Sequence, residues 1–143
     1  MIENNLRYCR EELKMTQREL GIVLGVSPQT ISNWETGYDP ITLHRLVRFC
    51  NLYNYSLDFV CGITRKNIKY DKIAVLDAKA IGKKLKKLRK ILKITQDKFV
   101  NKCGIHRTTY NHYETGYSII KTMAAYSICK TYKVSMDWLM GKK

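Results

Sequence analysis

The side chains best suited to covalent or metal chemistry are cysteines and histidines, and their spacing argues against both. Five cysteines form no CxxC pair, and an odd number cannot complete a disulfide framework. Three histidines show no metal-ligand grouping with them. There is also no phosphate-binding loop, no pair of catalytic carboxylates and no nucleophile with a plausible base. We therefore predict reduced thiols, no metal, no cofactor, no catalytic residue and no enzymatic activity. The residues concerned are Cys9, Cys50, Cys61, Cys103, Cys129, His44, His106 and His112.

The charge balance points to binding instead of catalysis. The 143 residues carry 26 Lys and Arg against 12 Asp and Glu, a net charge of +14. This excess predicts a polyanionic partner, with nucleic acid first and an acidic membrane surface second. A solvated, lysine-rich helix face would give the same composition. No apolar run reaches the ~20 residues that span a bilayer, and the first residues lack the apolar stretch of a signal peptide. We expect a cytoplasmic protein of a prokaryote or phage.

An internal repeat organises the chain. Thr16-Gln17 and Thr95-Gln96 lie 79 positions apart, and the run Glu-Thr-Gly-Tyr recurs at the same offset, at 35–38 and 114–117. Further identities follow at this offset without any gap, so the chain is two copies of one fold. The predicted boundaries are residues 1–62 for the first copy, 63–77 for a linker and 78–143 for the second copy.

Each copy is predicted to contain five short helices. In the first copy Thr16 with Glu19 forms a capping box that starts the second helix, and Ser27 caps a third helix with Pro28 at its first position. The second copy predicts helices over 78–92, 96–103, 107–115, 122–132 and 136–140, with Asp77 as the first cap. In the linker, residues 73–76 could form a short strand, a helix start or a patch that docks the domains.

The two motif segments resemble the helix-turn-helix of the Cro/repressor family, often called XRE-type regulators. They are TQRELGIVLGVSPQTISNWETG and TQDKFVNKCGIHRTTYNHYETG. The features shared with that family are a TQ pair opening the second helix, Gly at the turn, a cap before the third helix and an aromatic-Glu-x-Gly ending. The resemblance implies an all-α chain of two tandem five-helix, lambda-repressor-like DNA-binding domains joined by a short linker.

In that family the third helix of each domain lies in the major groove of DNA with its first residues at base edges. Here the recognition helices would be 28–36 and 107–115. The positions implied to contact bases are Pro28, Gln29, Ser32 and Asn33 in the first copy, and Arg107, Thr108, Asn111 and His112 in the second. Amides such as Gln29 suit adenine, and Arg107 suits guanine or a phosphate. Solvent exposure of polar residues is the plainer alternative.

The resemblance also implies contacts to DNA phosphates. The start of the second helix offers free amide donors to an anion. The residues implied are Gln17, Thr30 and Tyr38 in the first copy, and Gln96, Thr109, Tyr117, Lys83 and Lys84 in the second. Capping alone would explain the glutamines, and packing against the loop would explain the tyrosines.

The family has an internal ion pair between its first and third helices, which implies pairs Arg10–Glu35 and Arg89–Glu114 here. The aromatic and aliphatic residues of the motif are expected to form the core and not to stack on bases. These core positions are Leu20, Val26, Ile31 and Trp34, with Phe99, Ile105, Tyr110 and Tyr113 as their counterparts.

The charge is divided unequally between the copies. Residues 1–62 have a net charge of −1, the linker +2 and residues 78–143 +13. Two hypotheses follow for the double-stranded DNA partner. In one, both domains bind DNA as a single-chain pseudo-dimer. In the other, the first domain mediates homodimerisation and the second domain binds DNA. The leading function is a sequence-specific regulator, acting as a repressor on the nucleoid; the alternative is a protein-interaction module such as an antitoxin. No membrane partner is expected, and no small-molecule effector is evident.

Overall fold

The computed structural model describes residues 3–143 and is all-helical over that range. The chain divides into two compact units between Asp71 and Lys72. Each unit contains five helices in the described residues, as the repeat predicts. No helix in the described part of the chain is both long enough and apolar enough to cross a bilayer.

The helices begin and end within one or two residues of their predicted limits. In the first unit they are α1 (Leu6–Glu12), α2 (Gln17–Leu24), α3 (Pro28–Glu35), α4 (Leu43–Tyr53) and α5 (Leu57–Val60). In the second unit they are α6 (Ala78–Ile91), α7 (Gln96–Cys103), α8 (Arg107–Glu114), α9 (Thr122–Tyr132) and α10 (Met136–Leu139).

Local capping explains why α2 and α3 start where they do. The Thr16 hydroxyl accepts a hydrogen bond from the Glu19 backbone amide at 3.0 Å, and the Glu19 carboxylate accepts one from the Thr16 amide at 3.1 Å. The predicted capping box is therefore confirmed. Ser27 accepts a hydrogen bond from the Thr30 amide at 3.1 Å and Pro28 occupies the first position of α3, also as predicted. Gly25 makes the turn between the two helices with φ of 71°, a left-handed conformation that favours glycine.

The second unit uses different residues for the same caps. Asp77 accepts hydrogen bonds from two backbone amides at the start of α6, which confirms it as the predicted cap. Thr95 caps α7, but Lys98 stands where Glu19 stands in the first unit, so its side chain cannot complete a capping box. At the start of α8 the ring Nδ1 of His106 accepts from the Thr108 amide at 3.3 Å.

The core of each unit is formed by the predicted inward faces. Ile31 and Tyr110 are fully buried, and the other predicted aromatic positions are at most 4% exposed. Val26 and its counterpart Ile105 are only half-buried, because each lies in the turn between two helices and not on an inward helix face. The largest fully buried side chains are Leu6, Leu20, Ile31, Leu46, Phe49, Leu57, Ile81, Leu85, Phe99, Tyr110, Ile120 and Ile128.

The five cysteines belong to this core. None of them forms a disulfide among the described residues, and all are buried. Burial raises the pKa of the Cys9 thiol to about 12, with a smaller contribution from the nearby Glu12 carboxylate. A thiol with such a pKa has little of the reactive thiolate form near neutral pH.

The first helices of the two units differ in length. The α1 helix has 7 residues and α6 has 14, so α6 begins about two turns earlier relative to the repeat. Gly82 lies in this extra part. A Cβ atom at Gly82 would stand 2.5 Å from the backbone oxygen of Glu114 and 2.6 Å from that of Tyr113. The added turns of α6 therefore rest directly on the backbone at the end of α8.

The residues between α5 and α6 are irregular but attached to their own units. The Asn67 side chain accepts a hydrogen bond from the Ser56 amide at 2.7 Å and donates one to the Asn54 carbonyl at 3.2 Å, both in the first unit. In the second unit the Val75 amide donates to the Met140 carbonyl at 2.9 Å, and Ala74 is buried. Residues 73–76 form neither a helix nor a strand.

Candidate nucleic-acid interface

The α3 helix separates a buried face from a polar one. Ile31 and Trp34 are 0% and 3% exposed, whereas Pro28 and Gln29 are exposed. Ser32 and Asn33, three and four positions after these, are half-exposed. Spacing of three and four residues places side chains on the same side of a helix. The four positions implied by the resemblance therefore share one accessible surface.

Two of these side chains are joined to each other. Gln29 Nε2 donates a hydrogen bond to Asn33 Oδ1 at 2.9 Å. Asn33 Nδ2 lies 3.4 Å from a carboxylate oxygen of Asp39 in the following loop. Asp39 was not among the predicted site residues, because its proximity to Asn33 depends on how the chain turns after α3. Its carboxylate orients the Asn33 amide with the donor group toward the loop.

The corresponding side chains of α8 have different partners. Arg107 Nε lies 3.2 Å from a carboxylate oxygen of Asp97 in α7, and both side chains are well exposed. Asn111 Oδ1 accepts from Gln96 Nε2 at 3.1 Å. Gln96, Arg107, Thr108 and Asn111 together line one shallow surface pocket. An exposed ion pair contributes little to stability, so Arg107 can leave Asp97 for another partner at small cost.

The loop that follows each of these helices presents an exposed tyrosine. Tyr38 and Tyr117 are 78% and 79% exposed, which shows that neither is packed under its loop. The Tyr117 ring lies 4.7 Å from the ring of His112, which is half-buried near the end of α8. Both hydroxyl groups are accessible beside the polar face of the preceding helix.

The two glutamines at the start of α2 and α7 differ in their contacts. Gln17 Nε2 donates to Glu35 Oε1 at 3.1 Å, in a part-buried position. Gln96 instead reaches Asn111 on the exposed face of α8. Of the two threonines, Thr30 Oγ1 lies 2.9 Å from the Ser27 hydroxyl, while Thr109 is exposed. The first-unit pair is thus tied to the scaffold, and the second-unit pair is more accessible.

An arginine and a glutamate connect the first and third helices of each unit. Arg10 Nε lies 2.6 Å from Glu35 Oε2 and Nη2 lies 3.0 Å from Oε1, a bidentate arrangement. Arg89 makes the same two contacts with Glu114, at 3.0 and 2.7 Å. The carboxylates are 3% and 4% exposed. The third nitrogen of each guanidinium, Nη1, donates to the backbone carbonyl just before the Thr-Gln pair, so every nitrogen of both guanidinium groups has a partner inside the protein.

The buried carboxylate of Glu114 gives the second unit a defined acid sensitivity. Burial is the largest single influence and favours the neutral acid, but the hydrogen bonds and charge of Arg89, together with smaller contributions from nearby side chains, outweigh it and lower the pKa of Glu114 below its usual value of 4.5. A group whose pKa is lowered on folding stabilises the protein above its unfolded-state pKa and loses that contribution as pH falls through the folded value. We expect the unfolding free energy to fall as the pH drops from just above 4.5 through the lower folded-state pKa of Glu114, and the fall to be shallower in Glu114→Gln. Urea titrations across this range measure it, and parallel curves for the two proteins would contradict it.

Lys84 has a different place from the phosphate contact implied by the resemblance. Its Nζ donates to the Trp138 carbonyl at 2.5 Å and lies 5.6 Å from the centre of the Trp138 ring. Burial lowers the pKa of Lys84, and the charge of Lys72 adds to this. The ammonium group of Lys84 is therefore engaged within the second unit, between α6 and α10.

Lys83 is exposed and begins a row that runs along one side of α6. Lys83, Lys86, Lys87 and Lys90 are all exposed and line a common surface groove with Ile91. They follow the i, i+3, i+4, i+7 spacing of one helix face. No acidic residue occurs in α6 to neutralise them. Like charges at this spacing destabilise a helix slightly. We call this set the α6 lysine row; among its members, Lys83 is the one that the resemblance implies to contact a DNA phosphate.

The fold and these exposed faces define a class of DNA-binding helix-turn-helix proteins. A family model described as "Helix-turn-helix" matches residues 6–60, and one described as "Helix-turn-helix domain" matches residues 82–143. The chain belongs to the XRE-type helix-turn-helix family and contains two such domains in tandem. Domains of this type are characteristic of transcription regulators. Proteins of these families are typically not enzymes. No curated protein and no solved structure matched the chain.

Proposed function

We propose that the protein is a sequence-specific regulator of transcription that reads duplex DNA with α3 and α8 in the major groove, and that it represses. The observation that carries this proposal is that each helix presents polar side chains outward, beside an exposed tyrosine. An α-helix fits the major groove, where each base pair shows a distinct pattern of donors and acceptors. Because a regulator of this kind acts on chromosomal DNA, the proposed location is the cytoplasm.

The two domains are proposed to read different sequences. Gln29 and Asn33 carry amides, which pair bidentately with adenine, so the first domain favours A·T pairs. Arg107 has the planar donor geometry that suits guanine O6 and N7, so the second domain favours a G·C pair. The carboxylates of Asp39 and Asp97 hold Asn33 and Arg107 until bases replace them. A single chain therefore binds an asymmetric, two-part DNA site.

The domains also differ in how strongly electrostatics contributes to their affinity for DNA. The +13 charge of residues 78–143 and the α6 lysine row supply counter-charges for phosphates, whereas residues 1–62 carry −1. Each phosphate neutralised releases counterions and makes binding more dependent on salt. Tyr38, Tyr117 and Thr109 are accessible enough to add neutral phosphate contacts. We propose that the second domain provides most of the sequence-independent affinity, and that both domains bind DNA together as a pseudo-dimer.

Selection of bound sequences from a random DNA pool tests the base readers. The full-length protein is expected to select a bipartite site. Gln29→Ala should relax one part of it and Arg107→Ala the other, each weakening binding to the best site by about 1–3 kcal/mol, or roughly 5- to 150-fold. Unchanged selection by Gln29→Ala would mean that the first domain does not read bases.

Lys87→Gln is the matched control for base reading. This exposed lysine of the α6 row offers charge without sequence information, so the selected site should be unchanged. The slope of log affinity against log salt should decrease by about 0.9 if Lys87 neutralises one phosphate. An unchanged slope would show that the row is a solvated face. Co-purification of a stoichiometric protein partner, with no selected DNA site, would contradict the regulator proposal as a whole.

A further inference from the structure

An open cavity of about 830 Å³ lies in the first unit, between α1 with the residues just before it and the residues that follow α5. Its floor is aromatic. The Tyr8 and Phe59 rings meet edge to face at 5.9 Å, and Tyr55 stacks on Phe59 at 6.3 Å. Tyr8 is 58% exposed, so much of its side chain is accessible to a ligand. A volume of this size is typical of small-molecule sites, and here the aromatic floor is bordered mostly by polar and charged side chains.

The wall formed by α1 is acidic. The Glu12 carboxylate accepts hydrogen bonds from the hydroxyls of both Tyr8 and Tyr55, which fixes its position at the edge of the aromatic floor. Glu3 also lines the cavity, is exposed, and makes no ion pair among residues 3–143. Carboxylates beside the electron-rich face of a tyrosine favour a bound ammonium group.

The segment that follows α5 gives the cavity a basic wall. Arg65 and Lys66 line the cavity from the segment after α5, and both are exposed without an ion pair in the described residues. The segment is held in place, because the Asn67 side chain hydrogen-bonds to Ser56 and Asn54 and the Thr64 hydroxyl bonds to the Lys66 carbonyl. Two cationic side chains on an anchored segment favour a carboxylate.

We propose that this cavity binds a small zwitterion of the amino-acid type, a free amino acid or short peptide with an aromatic side chain. The ammonium group lies at Glu12 and Tyr8, the carboxylate lies at Arg65 and Lys66, and the ligand's ring packs on the aromatic floor. This site is separate from the proposed DNA-reading face, and binding to it is measured without DNA.

The cavity is specific to the first domain and does not come from the shared fold. At the repeat offset, Lys87 stands in place of Tyr8 and Ile91 in place of Glu12. Val134 replaces Tyr55, so the second domain keeps neither the acidic wall nor the tyrosine pair. Residues that were needed only for the scaffold would be expected at matching positions in both copies.

One hydrogen bond joins the cavity to the recognition helix. Asn4 lines the cavity, and its side-chain amide donates to the Trp34 carbonyl in the last turn of α3 at 2.8 Å. A ligand that moves Asn4 changes the support of α3. Coupling between two sites is reciprocal, so DNA would then change the affinity for the zwitterion by the same factor. This coupling rests on the proposed DNA reading, whereas the binding does not.

Isothermal titration of the full-length protein tests the site directly. The probes are a phenylalanine-containing dipeptide and tripeptide with free termini, together with their N-acetylated and C-amidated forms. At least one free peptide should bind saturably, and each capped form should bind at least tenfold more weakly. If the acetylated peptide binds as tightly as the free peptide, the site recognises only an anion. If the C-amidated peptide binds as tightly as the free peptide, the site recognises only a cation. Either result overturns the proposal. No saturable binding of any probe also overturns it.

Variants locate the binding. The double variant Arg65→Gln with Lys66→Gln changes two exposed side chains. It should weaken binding of the free peptide at least tenfold and leave the affinity for the C-amidated peptide unchanged. Tyr8→Ala should weaken the binding of every probe peptide. Glu11→Gln is the control, since Glu11 lies next to Glu12 but pairs with Arg7 outside the cavity. If the free peptide binds equally to the control and to the double variant, the ligand is not held between these walls.

Discussion

Arg10→Met is expected to lower the free energy of unfolding of the first unit by about 3 kcal/mol. The substitution leaves the Glu35 carboxylate buried at 3% exposure without its bidentate partner. It also removes the donor to the Met15 carbonyl, which precedes α2. Removing one member of a buried pair costs more than the pair contributes, because the remaining charge is uncompensated. Glu35→Gln should be destabilising for the same reason, although its amide keeps a hydrogen-bonding group.

Urea unfolding followed by tryptophan fluorescence measures this loss. The chain has one tryptophan in each unit, so a Trp138→Phe background leaves Trp34 as the reporter of the first. Arg7→Gln is the matched control on the same helix. Arg7 pairs with Glu11 at 2.7 Å, but both side chains are exposed, and such pairs contribute about 0.3–0.5 kcal/mol. An Arg10→Met protein that unfolds normally but loses DNA binding would assign Arg10 to DNA contact instead.

Gly82→Ala is expected to destabilise the second unit by about 2–3 kcal/mol. Alanine is intrinsically better than glycine inside a helix by about 1 kcal/mol, so propensity alone predicts the opposite sign. The added methyl would meet three backbone atoms of α8 at 2.5 to 3.0 Å. Backbone cannot move aside as a flexible side chain can. Relief of this clash would require α6 to move away from Glu114 at the end of α8. Arg89, which also belongs to α6, binds the Glu114 carboxylate and opposes that movement.

Thermal unfolding of Gly82→Ala, compared with Lys83→Ala, measures the effect. Lys83 is the exposed neighbour on α6, and its replacement should change stability by less than about 0.5 kcal/mol. Both variants place alanine in the same helix, so their difference isolates the close approach to α8. A Gly82→Ala protein as stable as Lys83→Ala would mean that the two helices can separate without loss.

The elements of this protein could be predicted because their signals are local. Thr16 with Glu19, Ser27 with Pro28, and Asp77 each act within three residues, and each helix starts where its cap predicts. The repeat then extended the same boundaries to the second copy. The buried ion pairs were implied by the family resemblance, since nothing in the local sequence brings Arg10 to a residue 25 positions away.

What the sequence did not predict depends on contacts between elements. Asp39 and Asp97 reach Asn33 and Arg107 only because a loop and a neighbouring helix pass close to them. Lys84 is indistinguishable from Lys83 in the sequence, but a rotation of 100° around α6 turns it toward Trp138. The zwitterion cavity combines residues from both ends of the first unit, and helix periodicity carries no information about such a pairing.

The attachment of Val75 to Met140 has a consequence for the order in which the chain matures on the ribosome. Domains generally fold as units during synthesis, the earlier one first. The contacts that close the first unit, such as that of Asn67 with Ser56, use only residues that leave the ribosome before Lys72 does. The second unit differs, because its opening segment is fastened to one of its last residues. It stays incomplete until that residue leaves the exit tunnel, so the near-neutral domain is finished before the strongly basic one.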